Sequence, residues 1–517
     1  MILGNSYLRN ATSFPERVAL SDGIRTLSHA DFLTHTIRTI NALVSEGAQR
    51  QDRVAVLAQN SIEMVEVLAA AELGGFIVLP FNHRLAVPEI VDIAKDARPR
   101  FVFYQQAFAE HATAVSAACG AKMIALDGEA VEGRTEYEVL KQSADAGSLR
   151  QQATEDDGVH MVYTSGTTGR PKGVLLGQRG QVEMVRTMSA SMAVQSSDKV
   201  LVVMPLFHVG GMAIKLAQHW QGAGVHLLSK FDPDALVQAM KVENVTTVHL
   251  APVMIRMLLE TSASIKDFPN LHTIVYGSSP IPRRDLTRAI QQFGSILIQY
   301  YGMTETGPLS TVLDKSLHVI TGDETTDARL ASAGLPQIGV QIEVRRPVGQ
   351  PAAIGEAGEV HINTPTLMLG YWDSTQGCAG PQPRGWFGTG DVGYFGKDGC
   401  LYLVDRKKDM IVSGGENIYS REVEEALLVH PGVSEVAVIG VPHPKWGECV
   451  AAYVVRSQGD HSSAEALIEH CKRQIASYKK PHHVFFTDAL PRLKATGKID
   501  KKTLRIAHWP DGQRFVA

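Results

Sequence analysis

The stretch Tyr163-Thr-Ser-Gly-Thr-Thr-Gly-Arg-Pro-Lys-Gly-Val174 decides the interpretation of the chain. It combines hydroxyl side chains, glycines and Lys172. Glycine lets a backbone approach a ligand closely, while hydroxyls, bare N–H groups and a lysine cation bind anionic oxygens. The order differs from the P-loop, in which the lysine follows a glycine and precedes serine or threonine; here Lys172 follows Pro171. We therefore predict a loop that holds the phosphates of a nucleotide, rather than an ordinary surface turn.

Short β-rich runs alternate with helical patterns around this loop. Arg53–Leu57 predicts a buried strand, and Asn60 with Glu63 predicts the capped start of a helix. The pair Gly74-Gly75 predicts its end, before a strand at Phe76–Leu79. Such alternation predicts parallel sheets covered by helices, an α/β fold. Later runs of the strand type are Arg100–Tyr104, Val200–Met204 and His272–Tyr276.

The pattern changes in the last third of the chain. From about Leu335 to Tyr371, short β runs with Gly and Pro turns predict a β-rich subdomain, taken as about residues 335–400. The charged stretch Asp405–Asp409 precedes a fresh α/β pattern, and we predict a domain boundary there. The expected division is a large N-terminal domain over 1–407 and a small α+β domain over 408–517. A chain of 517 residues is too long for one core, which supports two domains.

Composition limits the function classes. The chain is 44% hydrophobic and 20% charged, with a net charge of −4 that gives no argument for nucleic-acid binding. The apolar run from Val67 to Pro80 is broken by Glu72 and two glycines, so we expect no transmembrane segment. The N-terminus lacks a signal-peptide pattern, and we expect a cytoplasmic protein. The cysteines lack metal-ligand spacing and are expected to be reduced thiols: Cys119, Cys378, Cys400, Cys449 and Cys471.

A second informative stretch is Tyr300-Tyr-Gly-Met-Thr-Glu-Thr-Gly307. Its aromatic residues offer a stacking face for adenine. Thr304 can reach an α-phosphate, and Glu305 can bind Mg²⁺, which usually takes one or two carboxylates together with phosphate oxygens. The alternative is the start of a capped helix, where Thr and Glu are common.

Three weaker patterns carry polar groups suited to the same ligand. Gly277-Ser-Ser-Pro280 follows an apolar strand and is either an adenine-lining turn or a plain strand-to-helix turn. In Gly385-Trp-Phe-Gly-Thr-Gly-Asp391, a carboxylate could accept from both ribose hydroxyls, the alternative being an Asx-turn. In Pro205-Leu-Phe-His-Val-Gly-Gly-Met212, His208 is either a ligand-gating residue or a structural histidine.

A further string, Pro491-Arg-Leu-Lys-Ala-Thr-Gly-Lys-Ile499, lies near the C-terminus. Together these motifs resemble the adenylate-forming superfamily, which contains acyl-CoA and aryl-CoA synthetases, luciferases and the adenylation domains of peptide synthetases. The resemblance runs from about Phe14 to Lys502. It implies a large domain with two similar parallel-type sheets and a β-rich subdomain, followed by a small mobile domain. It also implies an ATP-dependent acid–CoA ligase that uses Mg²⁺ and forms an acyl-AMP intermediate.

The resemblance assigns roles to individual residues. Lys498 would bridge the substrate carboxylate and the α-phosphate, Glu305 would bind the metal, and Lys408 would be the hinge, where many relatives carry Asp. The catalytic candidates are Lys498, Glu305, Thr304 and His208. The ATP and AMP ligands would be Thr164, Ser165, Gly166, Thr167, Thr168, Gly169, Lys172, Gly277, Ser278, Ser279, Tyr300, Tyr301, Gly302, Asp391 and Arg406. The acyl pocket would contain Phe207, His208, Gly210, Gly211 and Met303, and coenzyme A would contact Ser413, Gly414 and Gly415.

The identity of the acid stays open among fatty, aromatic and alicyclic acids. No Asp occurs in 205–212, which argues against an amino acid. Arg256 is either a contact for a second carboxylate or a helix-surface arginine. The alternatives to coenzyme A transfer are loading of a separate carrier protein, a luciferase-like oxygenase and a nucleotide-binding regulator. The partners are the acid, ATP and CoA, and a homodimer is one assembly that the sequence leaves open.

Overall fold

The structure is a computed structural model that describes residues 1–128, 130, 133–164, 171–279, 281–373, 377–379, 385–413, 416–493 and 497–509. Its contacts divide the chain into two compact units. The N-terminal unit comprises Met1–Gln341 and Ile362–Phe387, and the C-terminal unit comprises Ile342–His361 and Gly388–Ala517. Residues 388–407 thus group with the C-terminal unit, while the domain boundary between 407 and 408 stays a prediction.

The strands alternate with helices over much of the chain. The strands are β1 (Val18–Ser21), β2 (Thr26–Ser28), β3 (Arg53–Leu57), β4 (Ile77–Pro80), β5 (Phe101–Tyr104), β6 (Lys122–Ala125), β7 (Gly158–Thr164), β8 (Lys172–Gly177), β9 (Lys199–Val202), β10 (Gly224–Leu227), β11 (Thr247–Leu250), β12 (Thr273–Gly277), β13 (Leu297–Met303), β14 (Gly307–Leu313), β15 (Leu335–Pro336), β16 (Gln341–Arg345), β17 (Gly358–Asn363), β18 (Gly370–Asp373), β19 (Gly377–Ala379), β20 (Phe387–Phe395), β21 (Leu401–Arg406), β22 (Ile411–Ser413), β23 (Glu416–Ile418), β24 (Val433–His443), β25 (Gly447–Arg456) and β26 (His483–Phe486). The helices are α1 (Asn5–Ser13), α2 (His29–Ser45), α3 (Ile62–Gly74), α4 (Val87–Ala97), α5 (Ala109–Cys119), α6 (Glu136–Gln142), α7 (Gln178–Met192), α8 (Val209–Gln221), α9 (Pro233–Val242), α10 (Pro252–Leu259), α11 (Arg283–Phe293), α12 (Glu324–Asp327), α13 (Ser420–Leu428), α14 (Ala464–Gln474) and α15 (Lys501–Ile506).

Two large sheets organise the N-terminal unit, as the sequence predicts. One has the order β15-β14-β13-β12-β11-β9-β10-β1-β2, and its strands from β13 to β1 run parallel. The other has the order β19-β18-β8-β7-β4-β3-β5-β6, with β7, β4, β3, β5 and β6 parallel. The carboxyl ends of parallel strands meet at one edge of a sheet, which is where open α/β sheets bind ligands.

Helix α3 shows how local sequence produces this core. Ser61 caps the helix by accepting from the Met64 amide, and Gly75, at φ 81°, ends it. The prediction of Asn60 as the cap is wrong, because the Asn60 amide instead bonds the Met204 carbonyl at 3.1 Å and the Leu228 carbonyl at 3.2 Å. The helix is apolar on nearly every side and packs in the main core cluster with residues of both sheets.

A buried ionic cluster ties α1, α3, β7 and α8 together. Glu72 lies 3.2 Å from the Lys215 ammonium and 3.0 Å from His160 Nε2, and it accepts a hydrogen bond from the Tyr7 hydroxyl. All four side chains are buried. Burial acts to raise the pKa of Glu72, but Lys215 and His160 outweigh it and hold the pKa at about 2. The cluster is therefore a charged pair with hydrogen-bonding partners inside an apolar core.

The C-terminal unit contains two smaller sheets. The first has the order β16-β17-β20-β21 and extends the predicted β-rich region, and the second has the order β23-β22-β25-β24 with β26 parallel to β25. Helices α13 and α14 pack on this second sheet through one apolar cluster. Among the described residues, every helix is too short or too polar to serve as a membrane span.

Candidate active site

The carboxyl-terminal edge of the nine-stranded sheet collects three of the predicted motifs. The acyl motif follows β9, Gly277 ends β12, and Met303 ends β13. Gly277 pairs with Tyr300, and a Cβ at Gly277 would lie 2.6 Å from the Tyr300 carbonyl oxygen, so only glycine fits. Gly302 is equally constrained, since its Cβ would lie 2.5 Å from the Gly307 carbonyl oxygen.

Ser278 and Ser279 continue the turn that begins at Gly277. Ser278 adopts φ 63°, a left-handed conformation that is uncommon for a residue with a side chain, and its hydroxyl bonds the Gly277 carbonyl at 2.6 Å. Strain of this kind concentrates at ligand sites. Pro280 lies outside the described residues.

The two adjacent tyrosines of β13 differ in environment. Tyr300 is buried in the main core and its hydroxyl lies 2.6 Å from the Ser191 hydroxyl, so its ring does not offer a stacking face. Successive strand residues point to opposite faces of the sheet. Tyr301 is half-buried and therefore has the more accessible ring, and a contact of either tyrosine with the nucleotide stays a prediction.

Glu305 is held by the segment that leads into β18. Its carboxylate Oε1 accepts from the Tyr371 hydroxyl at 3.2 Å, and its backbone carbonyl accepts from the Met368 amide at 2.8 Å. Thr304 directly precedes it and is half-buried. Burial and the Glu305 charge raise the pKa of Tyr371, so its hydroxyl stays protonated as a donor. Sequence reasoning missed Tyr371, whose position after Gly370 in an aromatic pair was the available signal.

Lys172 belongs to the same group of side chains. It begins β8, pairs with Thr164 at the end of β7, and carries its ammonium 5.0 Å from the centre of the Tyr371 ring. Residues 165–169 of the predicted phosphate loop lie outside the described residues. The loop therefore connects β7 to β8, and Lys172 at the start of β8 contacts Tyr371.

The acyl motif places aromatic side chains at the start of α8. Phe207 is buried, and the rings of His83 and His208 lie 5.1 Å and 4.5 Å from it. His208 is the residue before the first turn of α8. Its position fits a group beside an incoming carboxylate, because helix N-termini attract anions.

The two glycines of this motif are there for different reasons. A Cβ at Gly211 would lie 2.5 Å from the Pro205 carbonyl oxygen, so the backbone requires glycine. At Gly210 a Cβ would meet, outside its chain neighbours and its own helix backbone, one atom of the described residues within 4 Å, Cε1 of His249 at 3.4 Å. His249 was not predicted, because a lone histidine within a strand carries no sequence signal.

Arg256 does not fit the role of a carboxylate receptor. Its Nε lies 2.8 Å from the buried Asp285 carboxylate. The structure thus supports the structural alternative for this arginine.

The remaining predicted ligands lie in the C-terminal unit. Arg406 pairs with Asp391 at 2.5 Å, Nε to Oδ1, across the antiparallel strands β20 and β21. The Asp391 amide also donates to the Thr389 hydroxyl at 3.0 Å. Ser413 ends β22 beside Gly447, while Gly414 and Gly415 lie outside the described residues.

Lys498 interacts with the same charged group. The residue as a whole is exposed, yet the pKa of its ammonium lies below the ordinary lysine value. Surrounding protein atoms displace water from the ammonium, and the Arg406 and Lys408 cations repel it, whereas Asp391 acts in the opposite direction. The C-terminal unit thus brings Asp391, Arg406, Lys408 and Lys498 together, and the N-terminal unit holds Lys172, Glu305 and the acyl motif.

A single carboxylate at Glu305 fits Mg²⁺, which is usually held by one or two carboxylates and by substrate phosphates. No cluster of three or more acidic, histidine or cysteine side chains suited to a metal occurs in the described parts of the chain. A metal at this site would therefore depend on phosphate oxygens for the rest of its ligands.

Comparison with known families decides the identity of this arrangement. The family model described as AMP-binding enzyme matches residues 7–372, and the model described as AMP-binding enzyme C-terminal domain matches residues 422–498. The chain belongs to the AMP-binding enzymes. The predicted membership of the adenylate-forming superfamily and the predicted fold are confirmed.

Relatives of this AMP-binding enzyme align over nearly the whole chain. Feruloyl-CoA synthase of Amycolatopsis sp is 34% identical over 505 residues, covering 97% of this chain and 98% of that protein. The fatty acid–[acyl-carrier-protein] ligase ScoC of Streptomyces coeruleorubidus is 33% identical, covering 95% and 93%. These similarities confirm the prediction of an AMP-forming acid ligase of the acid–CoA ligase type.

Solved structures also match this AMP-binding enzyme over nearly its whole length. ATP-bound MatB from Rhodopseudomonas palustris has a TM-score of 0.87 at 26% identity, covering 99% of this chain and 100% of that one. The o-succinylbenzoate CoA synthetase MenE from Bacillus subtilis, in complex with its acyl-adenylate intermediate, has a TM-score of 0.83 at 28% identity, covering 97% of each. Use of ATP is therefore a property of this family.

Proposed function

We propose that this enzyme joins an aromatic carboxylic acid to coenzyme A in two steps. In the first, a carboxylate oxygen attacks the α-phosphorus of ATP, the bond to the β-phosphate breaks, and acyl-AMP and pyrophosphate form. In the second, the CoA thiol loses its proton, its sulfur attacks the acyl carbonyl, and AMP leaves. The convergence of Lys172 and Glu305 on Tyr371 carries the proposal, since it joins a predicted phosphate ligand to a predicted metal ligand.

The chain's own residues would supply position and charge. Thr304 and Lys172 would bind the phosphates, and Lys498 would stabilise the negative charge that develops between the carboxylate and the α-phosphate. Asp391 would accept from the ribose hydroxyls while it keeps the Arg406 pair. Glu305 would hold Mg²⁺, which when bound neutralises phosphate charge.

Two features support an aromatic acid. Phe207 is buried at the acyl motif with the His83 and His208 rings against it, which suits a flat ring. Relatives are named for ferulate, indoleacetate and 2-succinylbenzoate, which are aromatic acids. Fatty and alicyclic acids serve as the comparison in the test below.

Loading of a carrier protein is the second candidate function. It is favoured by the 33% identity to the acyl-carrier-protein ligase ScoC. The two candidates share the first step and differ only in the thiol that receives the acyl group. Formation of an acyl-CoA product therefore separates them.

We also propose that the predicted small domain over 408–517 pivots at Lys408 between the two steps. Two carboxylates flank this residue: Asp405 accepts from the Ser420 amide at 2.5 Å, and Asp409 pairs with Arg505 at 2.7 Å. A pivot at Lys408 would keep the Asp409 pair and break the Asp405 contact. The contacts of Ser413, the homodimer and the cytoplasmic location stay predictions.

The test is acid-dependent pyrophosphate release with ATP and Mg²⁺, followed by chromatography of the thioester product. Benzoic, cinnamic, fatty and alicyclic acids are compared with and without CoA. We expect the highest kcat/KM with an aromatic acid, turnover that requires CoA, and loss of at least about 100-fold in Lys498→Ala. The matched control is Lys502→Ala, which removes an exposed lysine of α15. Pyrophosphate release without any acyl-CoA would contradict the CoA assignment and favour a carrier protein.

A further inference from the structure

His249 stands near the carboxyl end of β11, between two strands that lead into the site. It pairs in register with Val202 of β9 and with Val275 of β12. The acyl motif follows β9 and the Gly277 turn ends β12. Because parallel strands deliver their carboxyl ends to one edge, His249 lies between the acyl motif and the adenine-lining turn.

The His249 imidazole is buried without a hydrogen-bond partner in the described part of the chain. Its exposed fraction is 7%, and its Nδ1 atom is fully enclosed and unpaired. Other buried histidines of the unit each bond through a ring nitrogen: His160 to Glu72 at 3.0 Å, His219 to the Ala19 carbonyl at 3.1 Å, and His318 to Tyr276 at 2.9 Å. A buried polar group left unpaired is costly, and in native proteins it often marks a ligand or water position.

The edge of the ring that carries both nitrogens faces the acyl motif. Cε1 lies between Nδ1 and Nε2 in an imidazole, and Cε1 is the atom that a Cβ at Gly210 would meet at 3.4 Å. Apart from the chain neighbours of Gly210 and the backbone of its own helix, no other atom of the described residues lies within 4 Å of that point. The absence of a side chain at Gly210 therefore leaves space that the imidazole borders.

The ring is neutral at ordinary pH. Burial disfavours the charged imidazole and lowers the pKa of His249 to about 4, because no anion among its described neighbours offsets the loss of water. A neutral imidazole offers one donor and one acceptor, and it does not attract a second carboxylate by charge. The group it can recognise is a neutral hydroxyl or carbonyl.

We propose that His249 determines acid specificity by hydrogen-bonding a hydroxyl or carbonyl group on the acyl portion of the substrate, in the space beside Gly210. This inference rests on the proposed function and deepens it from an aromatic acid to one with a polar, uncharged substituent. Sites built to bond a substrate hydroxyl reject analogues that lack it far more strongly than apolar pockets reject added groups.

The test compares acids of equal size that differ in hydrogen bonding. Ring-hydroxylated and ring-methylated cinnamic and benzoic acids are assayed as pairs with wild type, His249→Leu and His249→Asn. We expect wild type to prefer a hydroxylated acid, and His249→Leu to lower that preference, as a ratio of kcat/KM values, by about 10- to 100-fold. His249→Asn, which keeps a neutral side chain that can donate and accept hydrogen bonds, should recover part of it.

The control is His272→Leu, which removes a half-exposed histidine directly before β12, at the opposite edge of the same sheet. It should leave the preference unchanged. Equal loss for both members of a pair in His249→Leu, or a wild-type enzyme that prefers the methylated acids, would overturn the proposal.

The unfolding temperature is a second readout. Replacing a histidine that stabilises the fold would lower it, whereas replacing a histidine that only contacts substrate would not. Because His249 has no partner to lose, His249→Leu should keep or raise the unfolding temperature and should still bind ATP in a calorimetric titration. A lower unfolding temperature or an unfolded variant would show that the imidazole is structural and overturn the proposal. If wild type released no pyrophosphate with any acid, the proposed function would fail; calorimetric binding of each acid pair with ATP would still test His249.

Discussion

Tyr371 donates its hydroxyl hydrogen to Glu305 over 3.2 Å while the Lys172 ammonium lies 5.0 Å from the centre of its ring. One side chain of β18 thus contacts a residue that follows β13 in the nine-stranded sheet and a residue that begins β8 in the eight-stranded sheet. Because Tyr371 contacts both the predicted metal ligand and the predicted phosphate-binding lysine, we interpret it as a positioning residue for them.

The first prediction separates the two contacts of Tyr371, with Glu305 and with Lys172. Tyr371→Phe keeps the ring beneath Lys172 and removes the hydrogen bond to Glu305. Since a hydrogen bond to a charged group contributes about 1.5–3 kcal/mol, we expect kcat/KM for pyrophosphate release to fall at least about 10-fold. Tyr371→Leu should fall further, because it also removes the cation–π contact.

The readout that distinguishes positioning from simple structural support is the Mg²⁺ dependence. Tyr371→Phe should require more Mg²⁺ for half-maximal rate and should bind Mg²⁺-ATP more weakly by calorimetry. The control is Tyr402→Phe, which removes a hydroxyl bonded to Asp398 in the C-terminal unit. An unchanged Mg²⁺ requirement would argue that Tyr371 does not orient Glu305.

The second prediction concerns the pH range of catalysis. Lys498 must be protonated to stabilise negative charge, and its lowered pKa means that activity is lost at a lower pH than for an ordinary lysine. Removing the repelling cation in Arg406→Gln should move the alkaline limb of the kcat/KM profile to higher pH. Removing the attracting carboxylate in Asp391→Asn should move it to lower pH.

Both variants will also lose nucleotide affinity, since both residues are predicted ligands. The informative quantity is therefore the midpoint of the alkaline limb rather than the rate. Displacement of both midpoints in the same direction would contradict the electrostatic origin of the shift.

The third prediction concerns the buried pair of Glu72 and Lys215. Lys215→Met leaves the Glu72 carboxylate in an apolar core, so we expect the free energy of unfolding to fall by about 3–5 kcal/mol. The double variant Glu72→Leu with Lys215→Met removes both charges and should recover most of that loss. Denaturant unfolding with a double-mutant cycle measures it.

The exposed pair of Lys122 and Glu46 provides the control for this cycle. Lys122→Met should change the unfolding free energy little, because an exposed pair is screened by water and salt. A double variant as unstable as Lys215→Met alone would show that the pair is needed for reasons other than charge compensation.

The fourth prediction concerns acid stability. Burial holds the pKa of His219 at about 3 and that of His318 at about 4, whereas an unfolded histidine titrates near about 6.5. Below that pH the unfolded chain binds protons that the folded unit does not, so stability falls as the pH drops from 6.5 toward 4. Each such histidine contributes up to about 1.4 kcal/mol per pH unit within that window.

Calorimetric unfolding between pH 6.5 and 5 measures this as proton uptake. His318→Gln, which cannot titrate, should reduce the uptake by close to one proton at the acid end of the range. The same uptake in the variant as in wild type would exclude His318 as a source of the acid sensitivity.

Much of the fold follows from local sequence. The strand at Arg53–Leu57 and the Gly74-Gly75 helix end lie where the pattern predicts them, because alternation, burial and glycine act over a few residues. The cap of α3 is misplaced by one residue, since Asn60 and Ser61 are both good caps. Only the tertiary contact of Asn60 with the segments after β9 and β10 leaves Ser61 to bind the helix amides.

The sequence by itself determined the family, the α/β class and the motifs around Lys172, Glu305, Asp391 and Lys498, because these depend on residues adjacent in the chain. Tertiary structure alone decided that Tyr300 is buried and that Arg256 forms an ion pair with Asp285. It also decided that Tyr371 contacts both Glu305 and Lys172, and that His249 lies beside Gly210 without a hydrogen-bond partner among the described residues. Those relationships join residues from different strands and helices. A short-range sequence pattern does not indicate which side chains meet at the edge of a sheet, so these contacts are known only from the tertiary structure.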